Sequence, residues 1–222
     1  MRESRFADRD EAGRLLAGAV AARAPELVGQ GTLVLGLPRG GVPVARHVAD
    51  ALDGELDVLV ARKIGLPGEP EFGIGAVTAG GPAVFDERTL YQFGLDAERL
   101  APDVARERAE AERRLHRYRG DRPPPVVANR PVLVVDDGLA TGVTARAALR
   151  DVRAQGPARL DFAAPVCAAQ AADVLAGEAD GVYCVTRPAD FTAVGAWYRD
   201  FAQLTDADVE EALAAAAYRP RH

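Results

Sequence analysis

Apolar residues recur at helical spacing behind Asp8, at Ala12, Leu15, Leu16, Ala19 and Val20, and Asp8 with Glu11 forms a capping-box pattern. A first helix is therefore predicted, ending near Pro25. Thr32 to Leu37 is a short apolar run of strand type, followed by Pro38-Arg39-Gly40-Gly41. Val44, Ala45, Val48, Ala49 and Leu52 give a second amphipathic helix, and Leu56 to Ala61 the next strand, which ends on Arg62-Lys63. After an interruption the alternation resumes. Pro131 to Val135 is an almost continuous apolar run, as a buried parallel strand requires. A helix follows over about Thr141 to Gln155, then a strand over Leu160 to Val166, a helix near Ala168 to Ala176 and a strand over Gly181 to Thr186. Thr205 and Asp208 resemble another capping box and start a last helix through Leu213. Five strands separated mostly by helices imply an α/β fold with a parallel sheet and right-handed crossovers.

The interruption runs from Ile64 to Arg130. Its first part is rich in Gly and Pro and reads as a loop and hairpin, with turn signals at Gly80-Gly81-Pro82. A charged helix follows over about Pro102 to Tyr118, with Val104, Ala111, Leu115 and Tyr118 on one face and a Glu/Arg-rich remainder that reads as solvated. Asp121 to Pro125 is a stiff connector.

Composition narrows the classes. A chain of 222 residues with 48% hydrophobic content can bury a core without metal or disulfide, and its length suits one domain with an elaboration. The net charge of −6 argues against a general nucleic-acid binder. No apolar run would span a bilayer, and the start, with Arg2, Glu3, Arg5 and Asp8, has no signal-peptide core. Cys167 and Cys184 lie in apolar stretches without metal-ligand spacing and read as ordinary core residues of a cytosolic protein. Of 27 basic residues, Lys63 is the only lysine and the rest are arginine. Where the shape of the cation matters little this chain uses Arg, so the exception marks a place where a compact ammonium is wanted.

The densest chemistry lies between Val132 and Leu149. A buried strand runs into two adjacent acids, Asp136 and Asp137, then a loop of small residues (Gly138, Leu139, Ala140, Thr141, Gly142), and Thr144 opens a helix. Glycines allow close approach, free amides at a helix start attract an anion, and Thr141 and Thr144 supply hydroxyls, which makes a nest for one phosphate monoester. Two acids beside it repel anions and suit ribose hydroxyls with Mg²⁺ nearby. The plainer alternative is a strand-turn-helix whose acids cap the helix.

Val134 to Thr144 (VVDDGLATGVT) resembles the phosphoribosyl-pyrophosphate motif of the type I phosphoribosyltransferases. The Ala-Thr-Gly variant looks most like the adenine enzymes; Ala140 stands where many hypoxanthine-guanine enzymes have an acid, which removes one candidate base. The resemblance implies a five-stranded, mostly parallel sheet flanked by helices within one domain over residues 1–222, with a mobile flap at about 64–130 and a small C-terminal hood at about 187–222. Leu35 to Ala45 looks like the pyrophosphate loop, with amides of Gly40 and Gly41 toward the leaving group and Arg39 countering its charge. Arg62-Lys63 sits where family members place a basic pyrophosphate contact, so two independent arguments meet on Lys63. Phe191 to Phe201 resembles the hood of purine members, where Phe191 could stack on a base and Trp197 or Tyr198 line the same wall.

The reaction so implied is displacement of pyrophosphate from phosphoribosyl pyrophosphate (PRPP) by a nitrogen nucleophile, a purine among the candidates, in a Mg²⁺-dependent transferase of nucleotide salvage in the cytoplasm. Asp136 and Asp137 would hold ribose and metal, Asp137 steadying the developing positive charge; Arg39 and Lys63 would stabilise pyrophosphate. Glu71, or nearly as well Glu69, is the candidate general acid or base. The resemblance favours a homodimer. A non-catalytic sensor of PRPP or a nucleotide in the same pocket is the competing reading. A serine hydrolase is a poor fit, the only serine being Ser4, and no Gly-Lys-Ser/Thr supports a P-loop.

Overall fold

The computed structural model describes residues 5–217, apart from the side chains at positions 70, 71 and 217, so Arg2, Glu3 and Ser4 lie outside the described residues. Helix α1 (Arg9–Arg23) begins as its capping box predicts: Asp8 accepts the Glu11 amide at 2.8 Å, and the Glu11 carboxylate accepts the Ala7 amide. There follow β1 (Leu33–Gly36), α2 (Gly41–Leu52), β2 (Glu55–Val58), β3 (Ala61–Leu66), β4 (Glu69–Thr78), β5 (Val84–Phe85), α3 (Glu87–Phe93) and α4 (Ala101–Arg119). The second half contains β6 (Pro131–Val135), α5 (Val143–Ala154), β7 (Arg159–Val166), α6 (Ala169–Leu175), β8 (Gly181–Thr186) and α7 (Asp206–Ala217). Thr205 and Asp208 cap α7 reciprocally, the Thr205 amide donating to Asp208 at 2.6 Å and the Asp208 amide to Thr205 at 3.3 Å.

Five strands form one parallel sheet in the order β2-β1-β6-β7-β8. Its apolar runs are buried on both faces, as a doubly covered parallel sheet demands. Leu16, Val48, Leu133 and Leu213 pack on one side, and Val134, Leu149, Phe162 and Leu175 on the other. The order reverses between β1 and β6. From β1 the chain goes to β2 on one side, from β6 to β7 on the other, so the loops after these two central strands diverge and leave a crevice, the usual ligand position in open α/β sheets.

The second predicted strand is shorter than its apolar run. Parallel pairing stops at Val58, and Leu59 makes one last bond to Gly36 (3.1 Å). From Ala61 the chain pairs antiparallel with β4 in a separate three-stranded sheet, so Arg62 and Lys63 belong to the flap hairpins and not to the end of a central strand. The turn at 80–82 is present, between β4 and β5. Helix α3 is not predicted by the apolar pattern; Asp86 caps it, accepting the Arg88 amide at 3.0 Å, and Gly94 ends it.

Two further expectations are corrected. Cys167 and Cys184 are joined as a disulfide with Cα atoms 6.2 Å apart. Pairing of β7 with β8 sets Ala164 opposite Cys184 and Val166 opposite Thr186, which brings Cys167 within reach of Cys184, a register that spacing along the chain does not reveal. The cysteines therefore lend no support to a reducing compartment. No described helix is long and apolar enough to cross a membrane.

The charged remainder of α4 is also more than a solvated face. Ala111 and Tyr118 are buried as expected, but Arg119 pairs with the buried Asp57 (3.2 Å), and Arg108 donates to three carbonyls, Thr78 (3.1 Å), Ala79 (3.2 Å) and Gly81 (2.8 Å). A guanidinium satisfying a whole turn anchors the flap sheet to α4. Arg108→Met should lower stability by about 1–3 kcal/mol in urea unfolding, the range for orphaning part-buried acceptors, and speed amide exchange around residues 78–84. Unchanged stability and exchange would make the contact incidental.

Candidate functional site

Helix α5 starts at Val143 because Gly142 takes a left-handed conformation (φ 78°) that turns the chain from loop to helix. Among the described residues, no acceptor meets the amides of residues 140–145, and the helix start behind them favours an anion there. The loop is fixed at its middle. The Leu139 amide donates to Val166 and the Ala168 amide to Leu139, both at 2.8 Å, next to the disulfide. The Leu139 side chain is buried in the core, so this residue serves the loop through its backbone. Ala140 and Thr141 are exposed, and Gly138 packs beneath Val194 of the hood.

Asp136 and Thr144 line a cavity of about 720 Å³ together with Lys63, Arg62 and Pro38. Its far wall belongs to α4, through Asp103, Arg106 and Glu107. Arg62 pairs with Glu107 at 3.0 Å, and Arg106 with Asp103 at 2.6 Å and Glu107 at 3.3 Å. These α4 residues were not foreseen as site residues; an Arg/Glu-rich helix gives no local sign of which charges turn inward. Asp136 is held well above the usual carboxylate range, first by burial and next by the charge of Asp137, with Lys63 opposing.

The Asp137 carboxyl contacts that of Asp136, and Asp137 has further partners. Its backbone amide donates to Asp136 Oδ1 (2.8 Å), its carbonyl accepts the Tyr198 hydroxyl (2.6 Å), and its Oδ2 accepts Arg9 Nε (2.8 Å). Burial raises its pKa too, with Arg9 acting against the rise. Tyr198 is raised by burial and then by Asp137, which keeps its hydroxyl a donor.

Other foreseen residues are more scattered. Gly41 opens α2 against Val135 and Asp136, and Gly40 abuts Asp137. Arg39 donates to the Leu204 carbonyl (2.6 Å), pairs with Asp206 (3.2 Å) at the start of α7, and does not line the cavity. Trp197 is buried with Phe6, Ala12, Val166 and Tyr198, and the half-buried Phe191 packs on that cluster. Neither aromatic lines the cavity beside Asp136, and Trp197 Nε1 has no partner among the described residues. Glu69 is exposed at the start of β4; the side chain of Glu71 lies outside the described residues. The hood also includes the chain's beginning: Phe6 donates to Trp197 (2.9 Å) and Arg199 donates to Phe6 (2.8 Å).

For a metal, the donor set is small. Among the described residues no cluster of three His, Cys, Asp or Glu could hold an ion. Mg²⁺ is commonly held by one or two carboxylates, with substrate phosphates and water completing the shell. Asp136, facing the cavity, fits that mode; Asp137 is engaged by Arg9.

A family model described as a phosphoribosyl transferase domain matches residues 10–195. The chain is 42% identical over 204 residues to the "Putative phosphoribosyl transferase" of Mycobacterium tuberculosis in each of strains CDC 1551 / Oshkosh and H37Rv. That match covers 92% of this chain but spans only 45% of those relatives. The crystal structure of TT1426 from Thermus thermophilus is 45% identical, with a TM-score of 0.78 over 95% of this chain and 98% of that one. The matched residues run from the first helix through the diacid loop to the hood, on the parallel sheet expected of the type I fold, and the chain belongs to the phosphoribosyltransferase family.

Proposed function

We propose that the protein binds PRPP in the cavity beside the diacid loop and transfers its phosphoribosyl group to a nitrogen of a base. One arrangement supports this most: Lys63 of the flap sheet lines the same space as Asp136 and Thr144. Thr144 at the edge of the small-residue loop, a carboxylate and a cation around one cavity suit a ligand carrying a 5′-phosphate, a diol and a pyrophosphate. In this reading the amides of residues 140–145 with Thr141 and Thr144 hold the phosphate, and Asp136 takes the ribose hydroxyls. Lys63 and Arg62 face the pyrophosphate, with Arg106 beside them. The acceptor nitrogen bonds to the anomeric carbon as its bond to the pyrophosphate oxygen breaks, and fixed charges stabilise the departing anion. Asp136 would also hold Mg²⁺, which when bound neutralises pyrophosphate charge. Purines are the first acceptors to test.

Incubation with PRPP, Mg²⁺ and a mixture of nitrogenous bases, with mass detection, tests the reading. A nucleotide and released pyrophosphate are expected. Uptake of PRPP with no nucleotide from any base would favour the sensor instead, and no uptake would contradict both.

Two variants probe the roles. Lys63→Arg should fold normally but bind pyrophosphate about tenfold more weakly by calorimetry, about 1.4 kcal/mol, because a planar guanidinium cannot sit where a compact ammonium does. Parent-like binding would show that charge alone matters there.

Asp136→Asn should abolish PRPP binding yet raise the melting temperature of the ligand-free protein at pH 8. An acid whose folded pKa is raised binds protons more tightly folded than unfolded, so stability falls as pH rises through the folded value. Asn removes that penalty and can still accept the Asp137 amide. The gain should shrink as pH falls toward the ordinary carboxylate range; a less stable variant at pH 8 would make Asp136 a structural acid.

A further inference from the structure

Helix α4 carries an acid on its inward side. Val104, Glu107, Arg108 and Ala111 recur at spacings of three and four, the stripe that a helix turns toward its support. Val104 packs on the flap cluster around Ile64, and Ala111 is buried in the central core. The Glu107 side chain is only 14% exposed and stands between two arginines. From β3, Arg62 donates through Nε to Glu107 Oε2 at 3.1 Å and sets Nη2 3.0 Å from the same oxygen. From α4 itself, Arg106 donates through Nε to Oε1 at 3.3 Å. Both carboxylate oxygens are thus engaged, and all three residues line the cavity beside Asp136.

Side chains alternate across a strand, so Arg62 shares the α4-facing side of β3 with the buried Ile64. A partly buried ion pair adds little net stability over an apolar contact. What this one supplies is direction, because two nitrogens on one oxygen fix the plane of the guanidinium. The support for that acid is firm. Arg108, the next residue, bonds three carbonyls of the flap turn, and Arg119 ties the far end of α4 to Asp57.

We propose that Glu107 is a positioning residue: it holds the Arg62 guanidinium at the cavity wall, where Arg62 meets the pyrophosphate of PRPP. This rests on the reading of the cavity as a PRPP site. Ordering a loose arginine on binding costs side-chain entropy. With Glu107 in place Arg62 is ordered before the ligand arrives, and the departing pyrophosphate meets a fixed charge. The acid itself faces two guanidiniums, which limits its repulsion of a polyanion.

Calorimetric titration of the full chain with PRPP and Mg²⁺, and separately with ribose 5-phosphate, tests this. Ribose 5-phosphate lacks the pyrophosphate, so it reports on the diacid loop without the α4 wall. Glu107→Ala should weaken PRPP binding about tenfold, within the loss that a misplaced ligand contact causes, and leave ribose 5-phosphate binding unchanged. In an Arg62→Ala background Glu107→Ala should cost nothing further, because the acid acts through that arginine. PRPP binding in Glu107→Ala as tight as the parent's, or tighter, would make the acid idle or a mask over Arg62 and overturn the proposal. So would an equal loss for both ligands, the mark of a general brace, or a full further loss in the Arg62→Ala background. If Glu107→Ala does not fold, Glu107→Leu, which suits the inward stripe, decides by the same two ligands. A parent protein that takes up no PRPP refutes the PRPP reading itself, and this inference with it; the variant results refute the inference alone.

Discussion

Two neighbouring carboxylates at the end of a buried strand set the terms for the rest of this molecule. Asp136 and Asp137 leave β6 where the sheet reverses its strand order, and both are pushed toward their protonated forms by burial. Adjacent buried acids oppose folding at neutral pH. The surroundings offset it in separate ways. Arg9 is brought across the hood to Asp137, the Asp137 amide donates to Asp136, and Lys63 of the flap acts on Asp136 from across the cavity. Flap and hood are thereby tied to the parallel sheet by the electrostatics of one loop.

That dependence explains the positions of the additions to the central sheet. The flap hairpins carry Lys63 beside the cavity and are anchored by Arg108 to α4, the same turn of which supplies Arg106 and Glu107 to the cavity wall. The hood is built from both ends of the described chain, with Phe6 bonded to Trp197 and Tyr198 bonded to Asp137. Arg39, foreseen as a pyrophosphate contact, instead holds the loop after β1 to the start of α7.

The parts legible in the sequence are those whose physics is local. β6 and β8 have the predicted limits because each apolar run is bounded by residues that leave the sheet. The caps of α1 and α7 and the nest before α5 are read from a few neighbouring residues. The break between β2 and β3 was hidden because Leu56 to Ala61 is almost uniformly apolar, and only the change of pairing partner from β1 to β4 divides it. Helix α3 has clear end signals in Asp86 and Gly94 but buries none of its residues, so it has no apolar stripe to detect. The disulfide and the Arg9–Asp137 pair join residues far apart in the chain, and no spacing rule predicts them.

In the proposed reading the diacid loop and the flap strand β3 hold one phosphoribosyl ligand between them. Hydrogen–deuterium exchange with and without PRPP and Mg²⁺ addresses it directly, because the amides of residues 140–145 have no acceptor among the described residues. Slowed exchange is expected in two separate stretches, residues 138–145 and residues 61–66, with little change at the far end of the sheet. Protection confined to another surface, or none at saturating PRPP, would contradict it.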